Sequence, residues 1–409
     1  MKNIICIKDE KFKTFAVSVN FYRKLNRNDV TLNALLPAVL RRGCSFYSDT
    51  RTINIYLEEL YGATLNYDVK KCGDTQIISF YISTISDKYT ENDTPFEKSF
   101  KLLRDVIFNP YITDNAFSKE YVETEKKNLK ELIESVKNDK REYAKKRLIE
   151  EMYKNENYGI FEYGYTEDLE KINEQNLYDY YKSFINSTPV KILICGNFDK
   201  EKAQETVKDI FTLPEFDIPT INHGIFKSHT ETVTETADIT QGKLAIGYRT
   251  EITKDSSLYF PMLVLNNLFG GSPHSKLFLN VREKLSLAYY AGSGYNSYKG
   301  LIIVNCGIEF DKYSLTVKEI DNQLNDILLG NLSEDEINFS KAALTTGYSA
   351  INDNLGSQIS FYMSQVIGKN IFTISEYIEG INKVTKDDII LAAKTIKPDT
   401  IYFLKGENS

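Results

Sequence analysis

The chain of 409 residues repeats one order of elements, and that repeat limits its fold more than any other feature. Residues 14–23 alternate apolar and polar side chains as a strand does, and residues 243–249 do the same, with Tyr22-Arg23 matching Tyr248-Arg249 at an offset of 226. An apolar segment follows each, at 34–40 ahead of Gly43 and at 262–269 ahead of Gly270. An amphipathic helix running into a strand comes next, over 53–68 and 276–290. Helix starts with capping residues recur at Asn173 and Thr385. Each copy then closes on a strand ending in glycine, at 190–196 and 400–406. One α+β unit present twice accounts for this order. It predicts an α+β chain of two homologous α/β halves, residues 1–218 and 219–409, whose layers face across a cleft. The segment 213–220, with Pro214 and Pro219, and the polar residues to about Thr236 read as the linker. Long helices are expected at 94–108, 114–137, 141–153, 314–329 and 333–351, the last opened by Ser333 as N-cap with acids in its first turn.

A net charge of −7 without a long Lys/Arg block excludes a nucleic-acid partner, because phosphate binding needs a basic face. No apolar run approaches the ~20 residues that span a bilayer, and the N-terminal residues lack a signal peptide's apolar core, so no membrane role and a cytoplasmic setting are expected. Five scattered cysteines without a C-x-x-C pair read as reduced structural thiols.

Chemistry concentrates in 270–290. Gly270-Gly271 allows a turn, Ser272 suits a helix N-cap and Pro273 the first helical position, so a helix is expected to start near Pro273. Arg282 near its end and Tyr289 seven residues on both donate hydrogen bonds, and a guanidinium with a phenol suits a peptide carbonyl that is gaining negative charge. The plainer reading makes Arg282 an exposed partner of Glu283 and Tyr289 a half-buried strand aromatic. Tyr290 should face the other side of the strand, in the core. His274 should pack or cap locally, and His223 and His229 sit in the linker, so no pair has ligand spacing and no Ser/His/Asp set can be assembled. Gly270-Gly271 carries neither phosphate-loop nor dinucleotide fingerprint.

Arg282-Glu283-Lys284, Leu287-Ala288-Tyr289 and the preceding Gly-Gly-Ser-Pro-His-Ser segment resemble the C-terminal half of the pitrilysin/insulinase and mitochondrial processing peptidase family. The resemblance implies the LuxS/processing-peptidase-like metallohydrolase fold, a clam of two halves around a cleft, with Arg282 and Tyr289 holding the substrate carbonyl opposite a zinc ion. The family's H-x-x-E-H motif is missing: its positions fall on Ala34, Pro37 and Ala38, none able to bind metal, and the third ligand position falls near Glu131 or Leu132. The resemblance therefore implies a zinc-free subunit that binds no cofactor itself. It would act on peptide substrate in trans with a homologous partner carrying H-x-x-E-H and the zinc, with a strand edge near 291–297 pairing with the peptide. A non-catalytic peptide-binding or scaffold protein of the same fold is the alternative, and a peptidase with relocated ligands a third.

Overall fold

The computed structural model describes residues 3–211, 217–219, 226, 229–368 and 370–407. It divides into two compact units, one of Met1–Glu134, Ile160–Thr220 and Asn354–Ile367, the other of Ser135–Gly159, Ile221–Asp353 and Gly368–Ser409.

The first unit carries β1 (Ile4–Lys8), β2 (Thr14–Lys24), β3 (Thr64–Cys72), β4 (Thr75–Ile85), the short ribbon β5 (Ile112–Thr113) and β6 (Ala116–Phe117), and β7 (Val190–Gly196). Its sheet runs β1-β7-β2-β4-β3, with β1 parallel to β7 and the other pairs antiparallel. The second unit carries β8 (Glu231–Ala237), β9 (Gly242–Arg249), β10 (Ala288–Asn296), β11 (Leu301–Ile308) and β12 (Lys397–Gly406). Its sheet runs β8-β12-β9-β11-β10 with the same sense at every pairing. The two sheets are copies strand for strand, so the α+β duplication read from the sequence is the architecture.

Each sheet takes one covering helix from the other half of the chain. Lys140–Met152 packs on β9 and β12, burying Ala144, Leu148 and Met152 against Ala245, Ile303 and Leu404. Leu355–Gln365 packs on β2 and β7, placing Leu355 and Ile359 on Ala16 and Cys195. This exchange explains why β2 is buried on both faces. Phe15 and Phe21 meet Phe96 and Phe184 on one side. On the other, the polar positions of the alternating pattern are satisfied internally: the Ser79 hydroxyl donates to Asn20 Oδ1 at 2.7 Å, and the Tyr22 hydroxyl donates to the Met363 carbonyl at 3.2 Å. Alternation announced the strand correctly; its polar face meets a helix instead of water.

Helix starts follow local chemistry. Capping boxes form at Ser333 with Glu336, Asn173 with Asn176 and Thr385 with Asp388. Two expectations need correction. The helix expected from 114 begins at Lys119, because Asp114 and Asn115 adopt φ of +52° and +63° in the β5–β6 turn. The linker reading to Thr236 fails at Glu231–Ala237, which is the edge strand β8 parallel to β12. Its inward Glu235 accepts hydrogen bonds from Arg147, Tyr143 and Tyr402. Glutamates there disguised a strand as linker. His223 lies outside the described residues. Among the described residues no helix is long and apolar enough to cross a membrane.

Candidate functional site

In the first unit, the motif positions lie on the helix Val30–Arg41, where Ala34, Pro37 and Ala38 are all buried. Glu131 and Leu132 are exposed on the helix Lys119–Ser135. The buried carboxylate of that helix is Glu125, 7% exposed. It pairs with the Arg42 guanidinium and accepts from Asn128 Nδ2 at 3.0 Å. Arg42 follows Ala38 by one helical turn, so an arginine's fixed charge answers Glu125 beside the degenerate motif. Among the described residues no three His, Cys, Asp or Glu side chains are grouped to hold a metal ion. Apolar side chains at the ligand positions and a guanidinium on the buried carboxylate do not fit zinc.

In the second unit, two stretches on either side of Ser272–Lys276 are wound more loosely than an α-helix. Asn267–Gly271 and Leu277–Lys284 are π-type turns, and the Leu285 amide reaches back to Asn280 at 3.1 Å. Such widened turns recur at functional sites. The helix expected from Pro273 begins at Leu277. Ser272 does not cap it: its hydroxyl donates to the Asn267 carbonyl at 3.4 Å, and Ser275 Oγ accepts the Phe278 amide instead. Only after folding is it clear which of two nearby serines meets the free amide. His274 is exposed and stacks on Phe339 with centroids 5.6 Å apart.

Leu277–Lys284 delivers Arg282 to the surface, its guanidinium 4.6 Å from the Phe278 ring centroid and its Nε 3.5 Å from Glu283 Oε1. Ser286, at φ +48°, turns the chain into β10. Tyr289 follows, 58% exposed, donating to Glu309 Oε1 at 3.3 Å. Arg282 and Tyr289 line one open pocket of about 450 Å³ with Ser286, Glu309 and Lys312. Lys312 stands 3.0 Å from Glu309, and its hydrogen bond and charge hold the Glu309 carboxyl below the usual range. The ion pair with Glu283 is the contact a plain surface arginine would make. Both contacts lie at the surface, where water competes for the same groups, so guanidinium and phenol can exchange these partners for a carbonyl. Glu309 and Lys312 carry no motif and enter through strand register alone, since Ala288 pairs with Ile308. Tyr290 is half-buried rather than in the core, packed on Gly307 beneath the Arg141 guanidinium. Burial pushes its phenol up to about 12.

The strand edge anticipated near 291–297 is the outer edge of the sheet, since among the described residues β10 pairs with β11 alone. It is not open throughout: a Cβ on Gly270 would come within 2.4 Å of the Ser293 amide nitrogen, so the glycine turn covers the edge there.

The model of the peptidase M16 inactive domain matches residues 171–344. The chain is 38% identical over 403 residues to the probable inactive metalloprotease YmfF of Bacillus subtilis, covering 98% of this chain and 95% of that protein. It is 24% identical over 300 residues to the uncharacterized zinc protease YmxG of the same organism, covering 70% of this chain and 69% of that one. The crystal structure of a conserved protein from Enterococcus faecalis superposes with a TM-score of 0.93 at 31% identity, covering 99% of this chain and 96% of that one. With a relative matched along nearly its whole length, and with Ala34, Pro37 and Ala38 at the zinc-motif positions, this chain belongs to the M16 (pitrilysin/insulinase) peptidase family as an inactive, metalloprotease-like member.

Proposed function

We propose that this chain is the zinc-free subunit of a heteromeric M16 metalloendopeptidase. It binds an extended peptide and turns Arg282 and Tyr289 to the scissile carbonyl, while a homologous partner with an intact H-x-x-E-H motif supplies the zinc. The observation that carries this reading is the open pocket lined by both a half-buried arginine and an exposed tyrosine, the first held by Glu283 and the Phe278 ring and the second by Glu309. Cation and phenol together stabilise a carbonyl oxygen as it becomes anionic. The Bacillus subtilis pair YmfF and YmxG is a precedent for an inactive and a zinc-type relative in one organism.

The test is a peptidase assay of this chain and its zinc-bearing homologue, each alone and mixed. Hydrolysis should require the mixture. Arg282→Ala should lower its rate by about 10² to 10³, as loss of one oxyanion donor does, with assembly intact. An unchanged rate refutes the role. The second reading, a peptide-binding scaffold, is favoured by the engagement of Tyr289 with Glu309 and of Arg282 with Glu283. A mixture that assembles and binds peptide without cleaving it would select the scaffold.

A further inference from the structure

The second sheet has a bare patch. The helix Lys140–Met152 covers β9 and β12, and the face of β10 turned the same way carries Gly292 and Gly294, opposite Asn305 and Ile303 of β11. A hollow of about 420 Å³ remains between helix and edge strand, floored by those two glycines and Ile303. Its wall is the helix stripe Arg141, Lys145 and Ile149, spaced at i, i+4 and i+8, with Glu142 beside it, so two cations and one carboxylate give way to an apolar side chain.

The charge inside is unbalanced. Lys145 is paired with Glu142 at 3.5 Å. Arg141 lies 4.7 Å above the Tyr290 ring, and among the described residues no carboxylate stands within ion-pair distance of it. A guanidinium stacked on an aromatic face keeps its N–H edge for a planar bidentate acceptor. The hollow lies further along the same strand than the pocket described above: Gly292 lies three residues beyond Tyr289 on β10, about 10 Å at strand rise. About three residues of extended peptide span that distance.

We propose that this hollow is a specificity subsite that takes a peptide carboxylate, with Arg141 as the residue that selects it. The proposal rests on the reading of the chain as a peptide-binding subunit and adds the class of peptide, acidic near the bond held by Arg282 and Tyr289. A carboxylate in the hollow would meet the guanidinium edge-on, while its aliphatic stem would lie on Ile149 and Ile303.

The experiment uses three nine-residue peptides of serine, valine and alanine, titrated into the full chain by isothermal calorimetry. One is blocked at both ends with a central glutamate, one carries glutamine there, and one carries glutamine with a free C-terminal carboxylate. A carboxylate peptide should bind about tenfold tighter than the blocked glutamine peptide. Arg141→Gln should erase that preference without changing the affinity for the neutral peptide. Preference for the first or the third peptide tells whether the carboxylate comes from a side chain or a chain end. Gly294→Val should weaken all three: a Cβ there meets nothing within 4 Å, so the sheet tolerates it while the side chain fills the hollow. Equal binding of all three peptides by the natural chain overturns the subsite and leaves the peptide reading standing. Binding of none sinks both, and a preference that survives Arg141→Gln assigns the selection elsewhere.

Discussion

Asp399→Asn tests how the exchanged chain segment is fastened to the second sheet. Arg249 and Asp399 are 3% and 1% exposed and joined at 2.6 Å between Nε and Oδ2. The same guanidinium donates to the Met152 carbonyl at 2.8 Å, stands 3.2 Å from Glu156 and lies 4.1 Å above the Tyr153 ring. Lys299, also 3% exposed, approaches Glu156 at 3.6 Å. Two cations thus face two carboxylates, and three of the partners lie in residues 152–156, at and just past the end of the exchanged helix. The substitution leaves two buried cations sharing one carboxylate within this group. Breaking a buried pair costs about 3–5 kcal/mol, and the contacts that Arg249 keeps put the loss near the lower end. For a unit of 200 residues, about 3 kcal/mol lowers the melting temperature by about 6–12 °C. Calorimetry on the single variant and on Arg249→Met with Asp399→Leu decides the matter. Removing both partners leaves Lys299 and Glu156 balanced and should recover most of the loss. A single-variant shift under about 2 °C, or a double variant no better than the single, refutes the charge argument.

Gly247→Ala should destabilise by about 1–3 kcal/mol, because the added carbon would meet Met152 Sδ at 2.1 Å; an unchanged urea midpoint would show that the exchanged helix is not tightly seated. Burial alone would raise the Glu235 carboxyl, but hydrogen bonds from Arg147 and Tyr402 outweigh it and hold the group below its ordinary value. A lowered folded value contributes stability above the unfolded value near 4.3, lost as pH falls through the folded value. Melting curves from pH 5 to pH 3 should therefore fall less steeply for Glu235→Gln than for the natural chain, and parallel slopes would contradict this.

The duplication was legible because both copies keep their strand alternation and their caps, signals that depend on neighbours within a few residues. What escaped reading depends on distant partners. The boundary between compact units follows the exchange of Lys140–Met152 and Leu355–Gln365, and nothing local to those helices says which sheet each will cover. β8 was hidden because Glu231 and Glu235 occupy its inward positions, where Lys154 and Arg147 answer them. At the candidate site, Arg282 and Tyr289 were legible through their motif, and the structure brings them to one pocket. Glu309, Lys312 and the bare glycines of β10 were not, since their meaning comes from register across β11.

In the first unit the motif positions that cannot bind metal stand near a buried acid that has its own cation. A carboxylate as buried as Glu125 needs a compensating cation or a neutral replacement. A metal ion meets that need only while its other ligands persist, and it couples the fold of the site to metal supply. Arg42 supplies the charge covalently, one turn beyond Ala38 and directly on Glu125, so this unit keeps its buried acid while alanine and proline fill the ligand positions. The Arg282–Tyr289 pocket of the second unit stays open, with Tyr289 exposed and Arg282 half-buried, each in contacts made at the surface. A chain merely losing an old activity would be expected to decay in both units alike. Closure of one and openness of the other accord with the proposed role, in which this chain would hold a carbonyl for chemistry performed by a partner.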